Sequence, residues 1–343
     1  MDLNKLLRKN ILTLQPYSSA RDEYSGEAMV FLDANENPFN QPYNRYPDPL
    51  QKELKEKIAR LKGADPGRIF LGNGSDEAID LLIRAFCEPG VDNIVSIDPT
   101  YGMYNVAASI NNVEVKKSEL TKEFQLDADK LLDVADKKSK LVFLCSPNNP
   151  SGNCLDTGQI LKVIDEFQGI VVLDEAYIDF ASDKSFLPSL DKYRNLVIMQ
   201  TFSKAWGMAG IRIGMAFADN QIISVLNKIK YPYNLNILTQ QKALELTENR
   251  EEVKSWVEMI KTEREKMSES LKYLPFVIRV FPSDANFLLV KMEDARGIYE
   301  YLMERGIVVR DRSKVNLCEQ SLRITIGSPV ENEKLTDALK DLI

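Results

Sequence analysis

The sequence predicts an α/β fold: a mostly parallel central sheet covered by helices, with a smaller α+β domain attached. Three observations carry that reading. From about residue 68, short apolar runs alternate with amphipathic stretches, the order of a parallel sheet wound with helices. Several of those runs are almost wholly apolar, as strands covered on both faces are. The chain has 343 residues, too many for one small core.

The strand runs fall at residues 68–71, 93–97, 141–146, 170–173 and 196–200, with 212–218 a further candidate. Helical patterns occupy 77–86, 127–135 and 156–167. A long helical stretch covers 239–274, where Val253, Trp256, Val257, Ile260, Met267, Leu271 and Leu274 recur at steps of three and four and make one apolar face. Beyond it, 276–280, 286–291, 306–310 and 322–326 read as strands, with helices near 294–304 and 330–341. The expected division is an N-terminal arm that also joins the small domain (1–40), a large domain (41–245) and a small C-terminal domain (246–343). No apolar run is long enough to cross a bilayer.

Lys and Arg total 44 and Asp and Glu 51, a net charge of −7. That sign argues against a nucleic-acid partner, because phosphate backbones are gripped by excess basic charge. Small anions need only a few local cations. Cys87, Cys145, Cys154 and Cys318 form no CxxC pair and no metal-like spacing. With no leader-like N-terminus, they point to reduced thiols in the cytoplasm, and no metal is expected. Histidine is absent. Acid–base chemistry near neutral pH therefore falls to Lys, a carboxylate, Tyr or a cofactor.

Four stretches each end a predicted strand. Leu71-Gly72-Asn73-Gly74-Ser75-Asp76-Glu77 leads through glycines into a helix whose first amides can meet an anion; a helix merely capped by Ser75 or Asp76 fits as well. Ser146-Pro147-Asn148-Asn149-Pro150-Ser151-Gly152 is a rigid loop at a strand's carboxyl end, where open α/β sheets place ligands. It could present the Asn149 amide or be a plain tight turn. In Val171-Val172-Leu173-Asp174-Glu175-Ala176-Tyr177, Asp174 ends an apolar strand, where a buried carboxylate needs a cationic partner; a surface turn is the alternative. Finally, Lys204 follows a buried strand among Phe202, Trp206 and Met208, with Arg212 eight residues on. Desolvation lowers a lysine's pKa, and the neutral amine attacks an aldehyde.

In this order, Gly-Asn-Gly-Ser-Asp-Glu, Asn-Asn-Pro-Ser-Gly, Asp-Glu-Ala-Tyr and Ser-Lys with its following arginine resemble the fold-type I pyridoxal-phosphate aminotransferases. The resemblance runs from Leu14-Gln15-Pro16-Tyr17 to Leu322-Arg323-Ile324. It implies that fold, pyridoxal 5'-phosphate as cofactor, and amino-group transfer. It further implies that Lys204 holds the cofactor as an imine and later moves the substrate proton, and that Asp174 keeps the pyridine nitrogen protonated. Asn149 and Tyr177 match the partners of the phenolic oxygen. The Ser75 and Asp76 amides, with Ser203 and Arg212, match the phosphate cup, Glu77 beside them is expected to bind the cofactor, and Tyr101 matches the aromatic that stacks on the ring. Tyr46, in Asn44-Arg45-Tyr46-Pro47, matches a tyrosine lent to the neighbouring subunit's phosphate, which implies a homodimer.

Within the family, Leu14-Gln15-Pro16-Tyr17-Ser18-Ser19-Ala20-Arg21, Leu32-Asp33-Ala34-Asn35-Glu36-Asn37-Pro38 and Val308-Val309-Arg310-Asp311 are similar to the histidinol-phosphate aminotransferases. These exchange an amino group between L-histidinol phosphate and 2-oxoglutarate, giving imidazole acetol phosphate and L-glutamate in histidine biosynthesis. One site must then accept a phosphate where an amino acid carries its carboxylate, and arginine forks suit both. The resemblance implies Arg323 at the α-carboxylate position, Arg310 as added charge for the phosphate, and Tyr17 and Asn35 from the arm. Arg310 could equally form a surface ion pair with Asp311 or Glu304. Asp33 and Trp206 depart from the family's usual residues. Rival readings on the same scaffold are an aromatic amino-acid aminotransferase and a threonine-phosphate decarboxylase.

Overall fold

A computed structural model describes residues 3–17 and 30–343. The large sheet contains β1 (Ile69–Asn73), β2 (Asn93–Asp98), β3 (Glu114–Glu119), β4 (Ser139–Cys145), β5 (Ile170–Asp174), β6 (Leu196–Thr201) and β7 (Ile213–Phe217). Their order is β1-β7-β6-β5-β4-β2-β3. Only β7 runs antiparallel, to both its neighbours. Alternate residues of one strand feed two cores. Val171 and Leu173 of β5 belong to one core with Leu54, Phe202 and Val257, while Ile170 and Val172 belong to the other with Phe86, Tyr104 and Leu226. Burial on both faces is why β4 to β6 read as unbroken apolar runs.

Some elements have no counterpart in the sequence reading. β3, Glu-Val-Lys-Lys-Ser-Glu, lies at the sheet's edge with half of its side chains in water, where charge discourages stray strand pairing. The helices Lys52–Lys62, Met103–Ile110 and Asn220–Ile229 are also additional. The expected helical stretch 239–274 is two helices, Ile237–Leu246 and Arg250–Lys272. The Thr247 hydroxyl donates back to the Leu244 carbonyl at 2.9 Å, a side-chain competition that closes the first helix.

The small sheet contains β8 (Val277–Val280), β9 (Phe287–Met292), β10 (Arg310–Asp311) and β11 (Ser321–Thr325), in the antiparallel order β10-β11-β9-β8. The strand expected at 306–310 is reduced to Arg310–Asp311. Leu288, Val290, Leu322 and Ile324 pack on Met267 and Leu271 of the long helix, whose first half, at Val253 and Val257, belongs to the large core. That helix therefore ties the two sheets together. The other face of the small sheet, with Phe287, Leu289 and Arg323, turns toward the large sheet's loops.

The described part of the N-terminal arm departs from the expected division. Leu3 and Ile11 are buried against the helical layer of the large sheet. The Arg8 N–H donates to the Ala85 carbonyl at 3.0 Å, and Lys228 Nζ donates to the Ile11 carbonyl at 2.8 Å. These apolar residues dock on the large sheet's helices and not on the small sheet. Ser18 to Arg21 lie outside the described residues. Among the described residues, no helix is long and apolar enough to cross a membrane.

Candidate active site

The carboxyl ends of β1, β4, β5 and β6 meet the start of β7 around one cleft, the edge where open α/β sheets bind ligands. Its anion-binding end is built on close backbone approach. Gly74 has φ +77°, and a Cβ there would lie 2.5 Å from Arg212 Nη2. On β7, a Cβ at Gly214 would lie 2.0 Å from the Ser75 nitrogen. Only glycines let the strand pass directly beneath the start of the helix Ser75–Phe86. The first amides of that helix have no partner within it, and the helix dipole adds positive character there. Arg212 Nη1 donates to Ser203 Oγ at 3.4 Å, and Nη2 lies 3.8 Å from Asp76 Oδ2. These contacts are loose, leaving the guanidinium available to another anion. Thr201 Oγ1 accepts the Ser203 N–H at 3.0 Å and lies 3.0 Å from the Ile213 carbonyl, which pins the loop.

Glu77, expected to bind the cofactor, does not line the cleft. Its Oε2 accepts the Asn73 N–H at 2.5 Å and a bond from Asn234 Nδ2 at 3.1 Å. The carboxylate therefore folds back to cap the strand-to-helix turn, away from the cleft.

At the other end, Asp174 closes β5 with 2% of its surface exposed. Its Oδ2 accepts a 2.6 Å bond from the Tyr104 hydroxyl, and Oδ1 accepts the Ala176 N–H at 3.0 Å. Burial pushes its carboxyl up to about 6, and those two bonds oppose the shift. Tyr104 is fully buried and stacks on Phe143 with ring centroids 4.8 Å apart.

Lys204 opens the loop after β6. Phe202, Trp206 and Met208 are buried beneath it, but the lysine side chain itself stands open to the cleft. This differs from the expected amine wrapped in apolar neighbours: those neighbours anchor the loop and leave the amine free. Nζ lies 5.4 Å from the centre of the Tyr177 ring. Partial burial, then the Arg323 charge, holds the amine below the ordinary lysine range, with Arg212 adding to the shift and Asp174 opposing it.

Asn149 joins the two sheets at this point. Its Nδ2 donates to the Tyr177 hydroxyl at 3.4 Å, and its Oδ1 accepts Arg323 Nη1 at 2.6 Å. The loop that carries it is fixed by Asn148, which donates to the Pro99 carbonyl at 3.0 Å and accepts the Thr100 hydroxyl at 2.9 Å.

Residues 28–340 match the family described as aminotransferase class I and II. The chain belongs to the class I and II aminotransferases. It is 59% identical over 341 residues to a histidinol-phosphate aminotransferase of Parabacteroides distasonis, covering 99% of each chain. Over 342 residues it is 51% identical to that of Cytophaga hutchinsonii, covering 98% of each. Among solved structures, the histidinol-phosphate aminotransferase of Clostridium acetobutylicum superposes with a TM-score of 0.81 at 27% identity, over 88% of this chain and 91% of that one.

In this aminotransferase the remaining candidates fall into two groups. Tyr101 lines the cleft; its hydroxyl donates to Asp76 Oδ1 at 3.1 Å, and its ring meets Tyr104 edge-on at 5.6 Å. Arg310 sits directly across the ladder from Arg323 and is exposed. It pairs with neither Asp311 nor Glu304; Asp311 lies 3.9 Å from Arg296 instead. Tyr17, Asn35 and Tyr46 do not line the cleft of their own chain. Tyr17 is 69% exposed, Asn35 takes a left-handed φ of 55°, and Tyr46 stacks on Tyr233 at 4.5 Å. Tyr104 and Thr201 are site residues the sequence reading missed. Tyr104 had a usable signal, three residues after Tyr101 at a helix start, where such spacing shares one face.

Proposed function

We propose that the chain is a histidinol-phosphate aminotransferase that uses pyridoxal phosphate and acts as a homodimer. The observation that carries the chemistry is one cleft holding a helix N-terminus with a loosely held arginine, a buried carboxylate and an open amine. This donor set fits pyridoxal phosphate. Ser75, Asp76, Ser203 and Arg212 would hold the phosphate, Asp174 the ring nitrogen, Lys204 the aldehyde carbon, Asn149 and Tyr177 the phenolic oxygen, and Tyr101 the ring face. When bound, the cofactor supplies an electrophilic carbon and a ring that spreads the electron pair left at the substrate carbon.

The chain's own residues do the rest. With its amine held below the usual range, Lys204 keeps a neutral fraction that can take the proton from the substrate carbon and return it. Tyr104, by donating to Asp174, favours the ionised carboxylate that a protonated ring nitrogen needs. Asn149 links the Tyr177 hydroxyl to Arg323, so an anion docking at Arg323 is felt where the phenolic oxygen would sit. Arg323 and Arg310 face the substrate's anionic group, and Tyr17 and Asn35 would reach it from the arm. Tyr46, which does not line its own chain's cleft, suits a role in a partner's. Residues 41–245 and 246–343 serve as the large and small domains, and a cytoplasmic setting suits four free, buried cysteines.

The substrate choice rests on the close relatives that carry the name, and a half-reaction panel tests it. Histidinol phosphate, glutamate, phenylalanine, tyrosine, aspartate and threonine phosphate are added singly, and conversion of the cofactor to its amine form is followed by absorbance. Histidinol phosphate and glutamate should convert it fastest. No response to histidinol phosphate rejects the substrate choice, and carbon dioxide release from threonine phosphate would favour the decarboxylase.

A further inference from the structure

The loop joining β10 to β11 carries a third arginine beside the two already assigned. The Arg312 N–H donates to the Ser321 carbonyl at 2.9 Å, one step along the ladder from the Arg310–Arg323 pair. Side chains alternate across a sheet, so Arg310 and Arg323 share the face opposite Leu322, which points into the small-domain core. Arg312 lies within electrostatic reach of both arginines and of the cleft residue Tyr177. The loop is strapped in place: Asn316 Nδ2 donates to Asp98 Oδ2 at 3.2 Å and to Glu119 Oε1 at 2.8 Å. Arg312 is half-buried, and its Nε is buried with no hydrogen-bond partner. No carboxylate among the described residues pairs with it. Burial, with the charges of Arg323 and Arg310, pushes its guanidinium down to about 10. A partly desolvated cation beside two like charges destabilises the empty fold. Such arrangements persist where function needs them.

Resting on the reading of this chain as an enzyme for a phosphate-bearing amine, we propose that Arg312 is a third anion-binding arginine of the substrate site, selecting a phosphate monoester over a carboxylate. A carboxylate offers two oxygens and one charge, which one arginine fork satisfies. A phosphate monoester offers three terminal oxygens and up to two charges, so it leaves acceptors and charge for further forks. Arg323 serves both substrates; Arg312 matters for the one with the extra oxygen.

The test uses the holoenzyme and the variants Arg312→Met and Arg312→Lys. Inorganic phosphate and glutarate, a dicarboxylate of glutamate's length, are compared as competitive inhibitors of the glutamate half-reaction. Arg312→Met should weaken phosphate by about tenfold to a hundredfold, the loss of charge-assisted hydrogen bonds, and glutarate by less than about threefold. Arg312→Lys should fall between. The KM for histidinol phosphate should rise with phosphate's inhibition constant, and the melting temperature of Arg312→Met should equal or exceed that of the wild type. A merely structural arginine would lower the melting temperature and weaken both anions together. Either that pattern, or phosphate inhibition unchanged or undetectable, overturns the proposal. A wild type that ignores histidinol phosphate refutes the functional reading alone, since the phosphate-to-glutarate ratio still decides the role of Arg312.

Discussion

Asp174, on the large sheet's side of the cleft, is fully enclosed and held by two hydrogen bonds, whereas Arg310, on the small sheet's side, stands in solvent without an ion pair among the described residues. The same contrast runs through their neighbours. Asn148, Thr201 and Tyr104 cross-brace the strand ends. The arginine rim hangs on a two-residue strand and a loop strapped by Asn316. Tyr17 and Asn35 lie on exposed segments. On the proposed reading, the carboxylate that would hold the ring nitrogen sits on a cross-braced strand end, and the groups that would meet exchanging anions stay open.

If that division is right, substitutions on the braced side should cost turnover and cofactor retention, and those on the rim should cost substrate affinity. The largest effect should come from Lys204→Ala, which removes both attachment and proton transfer; turnover should fall by at least about 10⁴-fold. Asp174→Asn should lose about 10² to 10³-fold in turnover and retain cofactor poorly on dialysis. In the wild type, retention should also weaken as pH falls through about 6, where Asp174 gains its proton. Tyr104→Phe removes one hydrogen bond to that carboxylate and should cost roughly tenfold. On the rim, Arg323→Gln should raise KM for both substrates by about 10²-fold while the cofactor stays bound through dialysis. Loss of cofactor in Arg323→Gln, or a pure KM effect in Asp174→Asn, would break the comparison.

The smallest effect sharpens it through stability. Glu175 is buried behind Asp174, where its carboxylate accepts the Phe186 N–H at 2.7 Å and bonds from Ser185 Oγ and Gln200 Nε2 at 2.8 Å. Burial pushes it up from 4.5 to about 7. A folded-state pKa raised in this way contributes stability at low pH that is lost as pH rises through that window. Glu175→Gln should therefore gain on the wild type between pH 5 and pH 8, by on the order of 2 kcal/mol. Urea melts at both pH values read this directly; a variant that falls further behind at pH 8 contradicts it.

The braced side was the more legible in the sequence, for a physical reason. Strands buried on both faces show as apolar runs, and the loops at their ends use Gly, Pro, Asn and Asp. The segments around Gly74, Asn149, Asp174 and Lys204 therefore stood out through their order together, while each of the first three alone also fitted a plain cap or turn. β3 did not, because an edge strand is patterned by solvent and reads as charge. Tyr104 was hidden because a buried tyrosine looks like core until its hydroxyl is seen donating to Asp174. Glu77 misled because it sits beside true cleft residues yet turns back to Asn73. Arg312 gave no sign, since only the β10–β11 register places it beside Arg323.

The central claim is that Lys204 is the residue to which the cofactor attaches. Holoenzyme reduced with borohydride and digested should carry the pyridoxyl mass on the peptide containing Lys204 and on no other. The mass on another lysine, such as the buried Lys55 or Lys230, or no mass at all with turnover intact, would contradict the account.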